Sequence, residues 1–210
     1  MTVLGFIRTL GGLAGAAALA MGLSLGGATP AHSEDAAANT LILQIGLGYD
    51  SPSDTSPAST EQVVIELVPE FAPNHAERLK SLTRDGWYNG KLFHRVIEGF
   101  MAQTGSPNGD GVGGAEGRAN LQAEFSNVKF ERGVVGMART RDRDGANSQF
   151  FIMFDRAAPL DGLYTVVGRV TQGMDVVDRL TRTHKSTRRG ELPLGVTPDR
   201  IISARVAADG

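Results

Sequence analysis

Short stretches of alternating apolar and polar residues recur along the chain. Gln62–Val68 sets Val63, Ile65 and Leu67 on one face, the period of a half-buried strand. Thr40–Ile45 alternates more weakly. Together the two predict a hairpin whose connection, Gly46–Thr60, is rich in Ser, Pro, Asp and Gly and reads as a loop. Further strands are predicted at Leu92–Ile97, Phe100–Gly105, Val134–Ala138, Gln149–Met153, Thr165–Val170 and Ile201–Val206. The period lengthens once: Ala72, Ala76, Leu79 and Leu82 or Thr83 fall near helical spacing, Pro73 suits the first helical position and Gly86 ends the run, predicting a helix over Pro73–Arg84. A second short helix is predicted over Met174–Leu180. Many short strands with turn signals between them define a mainly all-β fold, a sandwich or a closed barrel. The two helices are placed as caps on the ends of such a barrel. Ser106–Ala119, with glycines at 109, 111, 113, 114 and 117, reads as a long loop.

The first residues follow another logic. Arg8 is the only charged side chain before Glu34, Leu10–Leu25 is almost entirely Ala, Leu and Gly, and small residues follow through Ala31. A basic start, an apolar stretch and a small-residue cut form the order of a secretory signal. Residues 1–31 are therefore expected to be a signal peptide cut after Ala31 or Ala28, with an uncleaved membrane anchor or a buried helix as alternatives. Residues 32–39 are expected as a flexible lead-in and 40–210 as one domain. This reading places the protein in the periplasm or outside the cell, with the membrane reached only through the N-terminal segment. A hydrophobic fraction of 41% and a charged fraction of 21% suit a globular domain. The formal net charge of -2 gives no strong pull toward nucleic acid.

Candidate chemistry is first a matter of exclusion. The chain has no cysteine, which removes disulfides, thiol nucleophiles and Cys-ligated zinc. His32, His75, His94 and His184 are scattered without a metal-binding spacing, so no metal is expected. The glycines at 109–114 lack the strand–turn–helix setting of a nucleotide loop. Asp142–Asn147 has a hint of a calcium loop, yet Ala146 and Met153 stand where oxygen ligands are needed. Lys185, Arg188 and Arg189 read as a solvated loop, and no G-x-S-x-G elbow exists.

Three segments then place unusual side chains within apolar runs. In Phe93–Gln103, Arg95 shares a strand face with Phe93 and Ile97; it either pairs with a carboxylate at a strand edge or serves a ligand. In Ser148–Phe154, alternation sets Gln149, Phe151 and Met153 against Phe150, Ile152 and Phe154. The first set has the makings of a small apolar pocket with a polar rim; the other reading is a strand buried on both faces. In Pro159–Tyr164, Asp161-Gly162 marks a turn, and Tyr164 supplies a ring and a hydroxyl.

With FHRVIEGFMAQTG at Phe93–Gly105, GMAR at Gly136–Arg139, NSQFFI at Asn147–Ile152 and LDG at Leu160–Gly162, the chain resembles the cyclophilin family of peptidyl-prolyl cis-trans isomerases, and in particular its bacterial secreted members. The resemblance runs from about Thr40 to Val206. It implies a closed eight-stranded antiparallel barrel capped by two helices, a monomer acting without cofactor, and proline-containing segments of folding proteins as partners. It makes Arg95 the catalytic residue. Phe100, Met101 and Phe151 would line the proline pocket, with Leu160 at its side. Gln103 and Gln149 would bond the substrate or orient Arg95, and Ala138 and Arg139 would offer backbone to the peptide. Tyr164 stands where many members have His, and Pro159 where cyclosporin-sensitive eukaryotic members have Trp. A rival reading is a module that holds proline segments without turnover; the complete pocket set favours an enzyme.

Overall fold

Eight strands make one antiparallel sheet: β1 (Thr40–Leu47), β2 (Ser59–Leu67), β3 (Arg95–Ile97), β4 (Met101–Thr104), β5 (Val134–Arg139), β6 (Ala146–Met153), β7 (Val166–Gln172) and β8 (Arg200–Val206). The spatial order is β3-β4-β6-β5-β7-β2-β1-β8. This computed structural model describes residues 31–185 and 194–210; the signal expected over 1–31 lies outside them up to residue 30, as do Arg188 and Arg189.

Each predicted strand forms, with shifted ends. β1 and β2 run into the expected Gly46–Thr60 loop, pairing Gly46 with Thr60 and Leu47 with Ser59. Gly46 carries no side chain where the Tyr49 ring folds back; a Cβ there would overlap the Tyr49 hydroxyl. At the other edge the strand expected from Leu92 begins only at Arg95. Leu92 instead bridges Arg200, and the Phe93 N–H donates to the Asp199 carbonyl at 2.8 Å. Phe93 thereby turns into the core, off the face that Arg95 shares with Ile97.

The same detail corrects the closed barrel. The sheet curls into a half-barrel whose edges are β3 and β8, and among the described residues no ladder joins them. A strand of three residues leaves little length for a second ladder. The Leu92–Arg200 bridge, helped by the Gly90 N–H to Ile201 carbonyl bond of 2.7 Å, holds the edges near each other instead.

The expected 32–39 lead-in carries a helix. Ala31–Ala38 forms helix α1, as its alanines favour. The Thr40 hydroxyl and the Asn39 amide close its last turn on the Ala36 and Asp35 carbonyls at 2.7 and 3.0 Å. Helix α2 (Pro73–Arg84) has the predicted bounds and buries Ala76, Leu79 and Leu82. Its N-terminal Ala72 has no capping side chain. Glu124 does that work from a distant loop, accepting the Asn74 and His75 N–H groups, each at 3.1 Å. Helix α3 (Met174–Asp178) adds Val176 and Val177 beside β2. No helix among the described residues is long and apolar enough to cross a membrane.

The strands bury both faces. Leu41, Leu43, Ile45, Val63, Ile65, Phe150 and Ile152 face the main core with the helices. On the opposite face Ile97, Met101, Phe130, Val134, Phe151, Met153 and Val166 form a second cluster.

Candidate active site

The second cluster is the floor of the site, and strand register assembles it. Arg95 on β3 pairs with Gln103 on β4, Gln103 with Phe151 on β6, and Phe151 with Gly136 on β5. One row lower, Ile97 pairs with Met101 and Met101 with Met153. Directly paired residues share a face, so one cation, one amide and several apolar groups meet without help from loops. The second face of β6 carries Gln149, Phe151 and Met153, as the alternation predicts.

These side chains enclose a cavity of about 170 Å³ lined by Arg95, Phe100, Met101, Gln103, Ala138, Arg139, Phe151, Leu160 and Tyr164. Every predicted site residue reaches it except Gln149, which lines an adjoining cavity of about 300 Å³. Gln103, Ala138 and Arg139 line both. The register between β5 and β6 passes over Ala138, leaving that residue out of the ladder at the boundary. Pro159 is exposed in a 3₁₀ turn, Ala158–Leu160, and does not line the cavity.

Arg95 is half-buried, with one guanidinium nitrogen 3.4 Å from the Gln103 amide oxygen and 3.8 Å from the Met101 sulfur. Its guanidinium carbon lies 5.8 Å from the Phe100 ring centroid. The Gln103 amide nitrogen donates to the Gln149 oxygen at 2.9 Å, and the Gln149 nitrogen donates to the Gly111 and Gly113 carbonyls at 3.1 and 2.8 Å. Gln149 is buried and thus reaches Arg95 through Gln103. The glycine-rich loop is the anchor of this relay, a task that glycine content alone does not signal.

Phe151 is held by neighbours of its own. Phe130 stacks behind it with centroids 5.7 Å apart, and Tyr164 meets it edge-on at 5.8 Å. Gly136 makes room: a Cβ there would stand 2.5 Å from Phe151 and 2.6 Å from Phe130. Asp161, expected to mark a turn, accepts the Phe130 N–H at 2.9 Å and pairs with Arg156. Phe130 and Gly136 gave no sign of this role in the sequence, because their partners are distant in the chain. His94 is buried behind Arg95, and burial pushes its pKa down to about 4, so it is neutral at physiological pH.

Comparison with known proteins gives the family. Residues 54–206 match the family model described as cyclophilin type peptidyl-prolyl cis-trans isomerase/CLD. A probable peptidyl-prolyl cis-trans isomerase of Brucella suis is 43% identical over 92% of this chain and 95% of its own length. Peptidyl-prolyl cis-trans isomerase B of Bacillus subtilis is 36% identical over 57% of this chain and 83% of its own. Among solved structures, the cyclophilin AquaCyp293 from Hirschia baltica matches with a TM-score of 0.65 and 28% identity, covering 83% of this chain and 76% of that one. Sequence, fold and relatives converge, and the chain belongs to the cyclophilin-type peptidyl-prolyl cis-trans isomerases.

Proposed function

We propose that the chain turns over X-Pro bonds at the 170 Å³ cavity with Arg95 as the catalytic donor, and that it serves proteins folding outside the cytoplasm. Amide resonance makes C–N rotation slow, with a barrier of about 18–20 kcal/mol. X-Pro bonds populate both isomers, and their uncatalysed exchange takes roughly 10–100 s. Rotation breaks no bond and moves no proton between molecules, so the reaction asks for neither nucleophile nor general base. In the twisted transition state the proline nitrogen turns pyramidal and regains its lone pair. A donor aimed at that nitrogen binds the twisted amide better than the planar one, and this difference lowers the barrier. A rate gain of ~10⁵ needs about 7 kcal/mol of it.

The observation that carries the reading is the row Arg95–Gln103–Phe151. It sets a guanidinium beside a cavity of about 170 Å³ with the apolar side chains of Phe100, Met101, Phe151 and Leu160 in its lining. Phe100, Met101, Phe151 and Leu160 hold the ring, and Gln103 and Gln149 fix the guanidinium. The test is exchange in an Ala-Pro-Phe peptide followed by NMR. Arg95→Ala is expected to lower kcat/KM by about 10²–10³, the loss seen when one transition-state donor is removed, with the fold intact. A folded variant with the parent rate refutes the role of Arg95; binding without faster exchange favours a holding module. The order of residues 1–31 supports export, and the protein is proposed to work as a monomer. Intact mass of exported protein tests the leader, and a mass retaining Met1 overturns cleavage.

A further inference from the structure

Arg139 was expected to offer backbone to the peptide; its side chain has a distinctive setting of its own. It is half-buried on the ridge shared by the two cavities. The guanidinium lies 4.6 Å from the Tyr164 ring centroid. Its Nε and one Nη donate to the Leu163 carbonyl at 3.2 and 3.0 Å, and the other Nη to the Thr140 and Arg141 carbonyls at 3.0 and 3.4 Å. These acceptors are neutral, and no ion pair involves Arg139 among the described residues. Asp142 accepts the Asp144 N–H at 3.0 Å and Asp144 the Ala123 N–H at 2.8 Å, and neither carboxylate pairs with this guanidinium. Among the described residues lining either cavity, Arg95 and Arg139 carry the only charges. In a chain of formal net charge -2, the Arg139 guanidinium thus stands where the two cavities meet with carbonyls and a ring, and no carboxylate, as its described partners.

We propose that Arg139 is a specificity-determining residue, and that it favours clients with an Asp or Glu side chain within two residues of the proline. This rests on the isomerase reading and adds the charge of the substrate to it. A cation already held by ring stacking and carbonyls loses little freedom on binding, and a partly desolvated groove screens it less than bulk water does. The same field opposes a Lys at that position.

The experiment is NMR exchange on Pro peptides carrying Glu, Ala or Lys at each of the two positions on either side of the proline, at low and high salt. The expected result is a Glu-over-Lys ratio of kcat/KM of about ten in at least one position at low salt, shrinking as salt rises. Arg139→Gln should bring that ratio to about one, and Arg139→Lys should restore much of it, which a merely structural role would not predict. A ratio near one in the parent, or one unchanged in folded Arg139→Gln, overturns the proposal. Failure of the isomerase reading is distinct, since then the Ala peptide is not accelerated either.

Discussion

Gly136→Ala adds one methyl group at the back of the site. Gly136 is buried in β5 directly opposite Phe151, and the new Cβ would stand 2.5 Å from the Phe151 ring tip and 2.6 Å from Phe130. Carbon atoms sit comfortably at about 3.5–4.0 Å, so both rings must give by about 1 Å. Neither has an easy direction. They are stacked at 25° with centroids 5.7 Å apart, and Tyr164 stands edge-on to both. Overpacking of this kind costs about 1–3 kcal/mol. At about 2 kcal/mol, Tm should fall by roughly 4–8 °C in a domain of this size. The displaced Phe151 ring is also the cavity floor, and a misplacement of about 1 Å can cost up to 10²-fold in rate. The expected outcome is a fall in kcat/KM of about ten- to a hundredfold, read by peptide exchange, alongside the lower Tm, read by thermal unfolding. Trimming Phe130 to Leu in the same chain should return part of both. A Gly136→Ala protein with parent Tm and parent kcat/KM refutes the packing argument. A lower Tm with parent kcat/KM keeps the packing and refutes Phe151 as the floor of the reaction.

Gln149→Leu removes the link between the Gly111 and Gly113 carbonyls and Gln103; kcat should fall about tenfold with KM less affected, and an unchanged kcat would show that Gln103 holds Arg95 unaided. Stability should drop with acid. The pKa of His94 lies at about 4 in the folded state, against 6.5 for the free side chain, chiefly through burial; burial also lowers that of His75, beside Glu124 at 2.6 Å. A lowered folded pKa means that the unfolded chain takes up protons first, so the stabilisation is complete above pH 6.5 and is lost as pH falls from there toward 4. For His94 alone this amounts to about 2 kcal/mol between pH 7 and 5, and urea midpoints that do not move over that interval would contradict it. Cyclosporin is expected to inhibit weakly, since Pro159 is exposed and does not line the cavity; nanomolar inhibition in the exchange assay would refute this.

The legible part of the fold is the part governed by period. Phe150 and Phe151 are neighbours in sequence, yet strand alternation alone sends one to the core and the other to the site. Helix α2 was readable to the residue because Pro73 and Gly86 bracket it and its apolar spacing is regular. What alternation does not reveal is where a strand stops. Leu92 and Phe93 read as strand, but the backbone there is claimed by Asp199 and Arg200, over a hundred residues later. The Glu124 cap on α2 was invisible for a like reason: the helix start lacks a capping residue, and its substitute is supplied from a loop beyond β4.

The site follows the same division. Arg95, Met101, Gln103 and Phe151 were legible because they lie on strands whose faces alternate and whose motifs resemble known ones. Phe130, Gly136 and the Arg139 side chain were not, since each acquires its role by contact across the sheet. This explains why a guanidinium tolerates the border of an apolar cluster. The cluster that borders Arg95 is the outer layer of a sheet whose other face already holds the main core. Stability therefore rests mostly on Leu41, Ile65, Ile152 and their neighbours, and the outer layer is free to leave about 170 Å³ unfilled beside a charge. Exchanging Phe151 for a smaller apolar residue should accordingly cost catalysis more than it costs the fold, whereas the same change at Phe150, one residue away and facing the other layer, should do the reverse.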